Sequence, residues 1–303
     1  MTLKYCTLDV FTDHPFGGNQ LAVFLDVPEL PTDFMQNVAR EFNLSETVFV
    51  VRPRDARATR RLRIFTPARE LPFAGHPTIG AAHALLEEGL AGVNGSSGSF
   101  LLEEEVGLIR IHAKRRDDGA WFVQLTTALL PEEGPAAPGV SELARLLSVA
   151  EKDILGGKDF AQFFSCGVPY LFVPLRDRKV LAGVSVDPAA SRKLQASAGA
   201  SQVYAFCHEP ERSGSSIRAR MFAHELGITE DPATGSAAAA FAGYLAPRAV
   251  QKNGTLRWTI EQGFEMGRPS LIYLEADVAN GLVTAVRVGG TAVRMSEGVL
   301  TLF

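Results

Sequence analysis

The chain has 303 residues and a mass of 32.6 kDa, which is long for one core and comfortable for two domains of roughly 100–150 residues each. Hydrophobic residues make up 46% and charged residues 21%, the usage of an ordinary packed protein, which excludes a disordered, fibrous or low-complexity chain. Thirty Lys and Arg against 34 Asp and Glu give a formal charge of -4 and a pI near 5.9, so no basic field exists to hold a phosphate backbone and nucleic acid is excluded as a partner.

From the start, Met1 to Asp9 alternates polar and apolar residues and lacks the apolar segment of a signal peptide. The longest uncharged stretches, 160–175 and 232–247, contain proline and fall short of the roughly 20 residues of a membrane span, so no membrane partner is expected. β-type runs then recur at 5–11, 46–51, 61–65, 108–114, 121–125, 170–174, 203–208, 217–222, 255–260, 271–277 and 282–288. Several alternate strictly, as in Val283-Thr-Ala-Val-Arg-Val288, the pattern of antiparallel strands with one buried face, and rolled sheets follow. Helices are fewer. Thr32 is read as capping a helix to Phe42, and Ser141 as capping 142–148. Two others, 77–86 closed by Gly89 and 233–245 closed by Pro247, are apolar nearly all round and must be enclosed, which curled strands would do. A Pro/Gly-rich stretch at 131–139 and a charged turn at 115–119 both mark possible joints; the boundary is placed near 118, giving one lobe of 1–118 with a returning strand from 291–303, and a second of 119–290.

The two halves echo each other. Aligning Arg63-Ile-Phe-Thr with Arg220-Met-Phe-Ala brings His76-Pro-Thr-Ile-Gly-Ala-Ala82 onto Asp231-Pro-Ala-Thr-Gly-Ser-Ala237, 155 positions later. In each half a strand is followed by a polar residue, a proline read as the first helical residue, and a small-residue helix. Each such helix start carries free N–H groups and a partial positive charge, so together they would make a site for a small carboxylate in a cleft between the lobes. Taken alone, Asp231 reads as a helix cap and Glu46 as a solvated acid at a strand start.

Four long motifs carry a resemblance: Asp9-Val-Phe-Thr-Asp-His-Pro-Phe-Gly-Gly-Asn-Gln-Leu-Ala-Val23, Glu41-Phe-Asn-Leu-Ser-Glu-Thr-Val-Phe49, Ile64-Phe-Thr-Pro-Ala-Arg-Glu-Leu-Pro-Phe-Ala-Gly-His-Pro-Thr-Ile-Gly80, and Gly227-Ile-Thr-Glu-Asp-Pro-Ala-Thr-Gly-Ser-Ala237. In order and spacing the chain resembles, end to end, the phenazine-biosynthesis isomerase-like (PhzF-like) family. The resemblance implies the diaminopimelate epimerase-like α+β fold, two pseudo-symmetric β-rich barrels each enclosing a central helix. It further implies a cofactor-independent isomerase that moves a proton on a small, unsaturated or amino, carboxylic acid, with no metal and no cofactor, as a homodimer. Glu46 takes the role of the proton shuttle, with His76 and Asp231 as its catalytic partners, and Asn19, Gly75, Thr234, Gly235 and Ser236 as substrate-binding residues.

The chemistry of these residue types agrees. A carboxylate in a dry cleft is raised toward neutrality and can serve as base and then acid, which suits Glu46. His76 at a helix start is favoured as the neutral imidazole and can donate to a substrate oxygen, while Asp231 would orient a polar group. Related epimerases and racemases place two cysteines near the positions of Gly75 and Asp231; Cys6, Cys166 and Cys207 lie in neither motif, which rules out opposed thiolates. An odd count of three, without a Cys-x-x-Cys pair, also fits neither a disulfide framework nor a zinc site and points to a reducing cytoplasm. Cys166 and His224 depart from the family's pattern. The six histidines form no His-Glu-x-x-His set, and Gly75 to Gly80 lacks the Lys-Ser/Thr of a phosphate loop. The competing class is a non-catalytic carboxylate-binding or scaffold protein that keeps the cleft; the retained polar set favours the enzyme.

Overall fold

The computed structural model describes residues 2–301, and of Leu226 the backbone alone. The chain divides into two compact units, one formed by Met1–Ala128 with Val288–Phe303 and the other by Leu129–Arg287. The boundary therefore falls ten residues after the expected 118, and at 287/288 instead of 290/291. The reason is local: the charged turn at 115–119 is a hairpin, closed by Arg116 N–H to Ala120 O and Gly119 N–H to Arg116 O, and the strand after it pairs back onto the strand before it.

In the first unit the elements are β1 (Thr2–Val10), β2 (Asn19–Phe24), α1 (Thr32–Phe42), β3 (Glu46–Val51), β4 (Arg60–Phe65), β5 (Glu70–Leu71), α2 (Gly75–Glu87), β6 (Ser97–Glu104), β7 (Gly107–Arg115) and β8 (Trp121–Thr126). The second unit runs β9 (Glu132–Glu133), α3 (Val140–Leu147), β10 (Gln162–Ser165), β11 (Pro169–Pro174), α4 (Arg178–Ala182), α5 (Pro188–Ala198), β12 (Val203–Cys207), β13 (Ile217–Ala223), β14 (Ile228–Asp231), α6 (Gly235–Leu245), β15 (Gly254–Gln262), β16 (Ser270–Ala279) and β17 (Leu282–Gly290), whose last residues belong to the first unit. β18 (Ala292–Thr301) returns antiparallel to β1, from Thr2↔Thr301 to Val10↔Ala292. Leu302 and Phe303 of the strand expected within 291–303 lie outside the described residues.

The pairing order repeats. In the first unit β1 and β2 are antiparallel, β2 and β3 parallel, β3 and β4 antiparallel, β4 and β6 parallel, and β6 and β7 antiparallel. In the second β10 and β11, β11 and β12, β12 and β13, β13 and β15, and β15 and β16 follow the same sequence of senses. Side chains repeat with it. Arg63 of β4 grips both carboxylate oxygens of Glu70 at 2.7 and 2.6 Å, and Arg220 of β13 grips Glu230 at 2.8 and 2.8 Å. One strand further, Arg61 lies 3.6 Å from Glu103, and Arg218 lies 3.1 Å from Glu261.

This correspondence corrects the expected register. Glu70-Leu-Pro-Phe-Ala-Gly75 superposes in role on Glu230-Asp-Pro-Ala-Thr-Gly235, both ending at the first residue of a helix, 160 positions apart and not 155. His76 thus corresponds to Ser236, each the second residue of its helix, and not to Asp231. Pro77 is the third helical residue and Pro232 precedes the helix, so neither is the first helical residue. Two expected caps also change. Pro31 and Gly139 occupy the cap positions of α1 and α3, which puts Thr32 and Ser141 inside the first turns; the Thr32 hydroxyl instead accepts from Arg63 at 2.9 Å.

Burial explains why two helices lack a polar face. Every residue of α2 from Gly75 to Leu86 is buried, and so are all of α6 except Ser236. Their glycines and alanines let surrounding strands approach closely: a Cβ on Gly80 would lie 2.5 Å from a methyl of Leu21, and one on Gly243 2.5 Å from the Phe164 ring. α1 instead has an apolar stripe, Met35, Val38 and Ala39, packed with Leu3, Phe24, Phe49 and Phe65.

Candidate active site

Glu46 opens β3, whose parallel register to β2 pairs it with Leu21, two residues after Asn19. The chain reaches Asn19 through a tight loop. Gly18 sits at φ +62°, where a side chain would run into the carbonyl oxygen of Val10, so only glycine permits the turn. The buried Asp9 carboxylate accepts from Phe16 N–H at 2.8 Å and fastens the same loop.

These constraints bring three of the expected residues together in the first unit. His76 Nε2 lies 3.3 Å from Glu46 Oε2, and His76 Nδ1 lies 3.2 Å from the amide nitrogen of Asn19. Asn19 thus holds the ring from behind and leaves Nε2 turned to the carboxylate. Burial pulls His76 down to about 3, a backbone hydrogen bond with Gln20 opposing it, so the ring is neutral at physiological pH. The helix start beneath it has no side-chain cap: Ala74 is extended, and the N–H groups of Gly75 and His76 open the helix.

In the second unit Asp231 ends β14, three residues before the Thr234 cap position of α6. It is not a helix cap; its Oδ2 accepts the Thr234 hydroxyl proton at 2.5 Å. Gln262, the last residue of β15, organises the rest. Its Nε2 donates to the Asp231 carbonyl at 2.7 Å and to Thr234 Oγ1 at 2.9 Å, and its Oε1 accepts from Thr234 N–H and from the Tyr204 hydroxyl, each at 3.2 Å. Burial holds Tyr204 far above the ordinary phenol range, so it stays a donor. Gly263, at φ +76°, lets this strand end pass against Pro232, whose carbonyl oxygen would be 2.5 Å from a Cβ. Ser236 shares a 2.7 Å hydrogen bond with the Tyr170 hydroxyl, and Gly235 is the first residue of α6.

The motifs pointed to neither Gln262 nor Tyr204, and they held Thr78 without its buried partner Glu104. Thr78 Oγ1 lies 2.6 Å from the Ala74 carbonyl and 2.5 Å from Glu104 Oε1. The signal for Glu104 was in the pattern, since it continues the buried phase of Phe100 and Leu102 along β6. All three cysteines are buried; the Cys6 thiol is pushed up to about 11 by burial and Cys207 is raised too, and the Cys166 thiol donates to the Leu129 carbonyl at 2.9 Å. Among the described residues no group of three His, Cys, Asp or Glu is placed to hold a metal, and no helix is long and apolar enough to cross a membrane.

Comparison with known proteins agrees along the whole chain. Residues 8–298 match the family described as phenazine biosynthesis-like protein. An uncharacterised isomerase of Mesorhizobium japonicum is 42% identical over 99% of both chains. The trans-2,3-dihydro-3-hydroxyanthranilate isomerase of Pseudomonas aeruginosa is 34% identical over 97% of this chain and 98% of its own. Among solved structures, a PhzF-family phenazine biosynthesis protein of Bacillus anthracis matches with a TM-score of 0.89 at 25% identity, covering 100% of both chains. A probable proline racemase of Agrobacterium radiobacter shares the fold, with a TM-score of 0.66 at 15% identity over 99% of this chain and 93% of that one.

Proposed function

The chain belongs to the phenazine biosynthesis-like family and is a PhzF-like isomerase, and from that premise we propose that it moves a proton between carbons of a small unsaturated carboxylic acid, with Glu46 as the group that carries it. The observation behind this reading is the Glu46–His76–Asn19 line, a carboxylate facing a neutral imidazole whose orientation is fixed from behind.

The Glu46 carboxylate takes a proton from a carbon next to the unsaturated system, and the electron pair released spreads toward an oxygen of the substrate. The neutral His76 ring, with its proton on Nε2 in this scheme, and the N–H groups at the α2 start favour negative charge there, because the helix start carries a partial positive charge. Protonated Glu46 then returns the proton at a different carbon. His76 acts as a neutral donor in this scheme; as an imidazolium it would compete for the Glu46 charge. Asn19, Gly75, Thr234, Gly235 and Ser236 hold the substrate, and Asp231, kept in place by Thr234 and Gln262, orients its polar group. Trans-2,3-dihydro-3-hydroxyanthranilate, the compound in the name of the Pseudomonas aeruginosa relative, has the chemistry this site requires. The proposed assembly is a homodimer.

The test is incubation in deuterated water with a panel of small unsaturated and amino carboxylic acids that includes that compound. Deuterium at a substrate carbon, dependent on the protein, supports the reading. Binding of a panel member without any exchange at carbon would favour a carboxylate-binding protein over an isomerase.

A further inference from the structure

Glu104 is a buried acid that the proposed reaction does not use. It ends β6, 3% exposed, beneath the first turn of α2. Its Oε1 lies 2.5 Å from the Thr78 hydroxyl, and its Oε2 is buried without a hydrogen-bond partner. The Thr78 hydroxyl has one proton and two close acceptors, Glu104 Oε1 and the Ala74 carbonyl 2.6 Å away. If that proton went to an ionised Glu104, two lone-pair oxygens would face each other at 2.6 Å at the helix start. A proton on Glu104 removes the conflict: the acid donates to Thr78 Oγ1, and Thr78 donates on to the Ala74 carbonyl.

The internal repeat supplies an independent observation. Arg61 opposes Glu103 across the parallel β4/β6 pair, as Arg218 opposes Glu261 across β13/β15, so the next residues, Glu104 and Gln262, are counterparts. Gln262 donates from Nε2 to a threonine hydroxyl, and that hydroxyl donates on to an acceptor just before α6. A carboxamide has the shape and donor capacity of a protonated carboxyl group. We infer that Glu104 is a positioning residue held as the neutral acid, the first unit's equivalent of Gln262, and that its proton fixes the Ala74–Thr78 turn in which Gly75 and His76 sit.

The surrounding charges agree with a neutral group. Glu104 shares a cavity of about 680 Å3 with Arg54, Arg61 and Arg63, and with Glu70, Glu103 and Glu105. Arg61 is turned to Glu103 and Arg63 to Glu70, and neither they nor Arg54 form an ion pair with Glu104 among the described residues. From α2 it is met by Thr78, with His76 in the same turn neutral, and its β7 partner is Gly107. Burial accordingly pushes Glu104 up to about 8, with the Thr78 contact opposing.

The inference does not depend on Glu46 being the proton carrier, and its test needs no substrate. Carboxyl-carbon NMR of glutamate-labelled protein should show one resonance titrating near pH 8 that is missing from Glu104→Gln. A folded pKa raised above the ordinary 4.5 means stability is fully present at low pH and is lost as pH rises through the folded value. The wild-type unfolding midpoint should therefore drop between pH 4.5 and about 8 relative to Glu104→Gln, which keeps the His76 ring signals of the wild type at pH 7. Glu104→Ala should shift those signals. A Glu104 resonance titrating near 4.5, or a glutamine variant whose midpoint falls in parallel with the wild type, would overturn the inference. If Glu104→Gln failed to fold, the glutamine equivalence would be wrong, and the wild-type resonance would still decide the protonation state.

Discussion

The two buried helices repeat the same architecture with different chemistry. α6 is gripped by aromatic rings: Phe241 stacks on Phe172 at 4.8 Å and meets Phe206 at 4.6 Å, while Tyr244 lies against Phe206 at 5.3 Å. The network at its start centres on the amide of Gln262, which is not titratable. α2 has no aromatic residue and carries His76, Thr78 and His83 in the same fully buried setting, with Glu104 against its first turn. A repeat that keeps the pairing order and the Arg–Glu pairs therefore leaves room for an amide at the Gln262 position of one copy and an acid at the equivalent Glu104 position of the other.

The largest expected effect on stability is at the aromatic cluster. Phe241→Ala removes a fully buried ring that touches Phe172, Tyr204, Phe206 and Tyr244, and should lower the unfolding free energy by about 3–5 kcal/mol, measured by urea denaturation. A loss under about 1 kcal/mol would mean that α6 is not held by these rings. Next comes the amide network. Gln262→Glu places a second carboxylate beside Asp231 and takes away the donor to its carbonyl, so it should cost about 1–3 kcal/mol at neutral pH. That cost should shrink on acidification, as the new acid takes up a proton and becomes the equivalent of the carboxamide. Equal losses at pH 5 and pH 8 would break the proposed parallel between Gln262 and Glu104.

A further prediction sharpens the contrast from the acid side. Burial pulls His83 down to about 4 from the ordinary 6.5, while its Nε2–H lies 3.2 Å from the Gly290 carbonyl. The unfolded chain thus takes up a proton below pH 6.5 that the folded chain refuses, and stability is lost as pH falls toward 4. His83→Gln should remove up to about 3 kcal/mol of that acid sensitivity in unfolding measured from pH 7 to pH 4, with little change at pH 7. An unchanged acid limb would place the titrating group elsewhere.

Legibility in the sequence followed the range of the interaction. The small-residue runs of α2 and α6 identify buried helices because no polar face remains for water, and the motif residues Asn19, Glu46 and His76 do meet in the first unit. The helix starts were harder to read. A proline beside a polar residue matches a capped N-terminus, yet Ala74 and Thr234 hold the cap positions: α2 opens at Gly75, ahead of Pro77, while β14 runs on to Asp231 and α6 opens only at Gly235, beyond Pro232. The 160-residue register was hidden for the same reason: its markers are Arg63 with Glu70 and Arg220 with Glu230, pairs visible only once the strands are side by side. The burial of Glu104 was legible in the alternation of β6, but its partner Thr78 and the partners of Gln262 lie more than 25 residues away, beyond the reach of any local pattern.

The account's central claim is that Glu46 carries the proton. Its most direct test compares wild type and Glu46→Gln for deuterium incorporation at carbon with an acid that the wild type turns over, alongside a binding measurement for the same acid. The amide keeps the shape of the carboxylate but cannot accept the proton, so exchange should fall by roughly 10²–10⁴-fold while affinity changes little. Near-normal exchange in Glu46→Gln would contradict the account and assign the proton to another group.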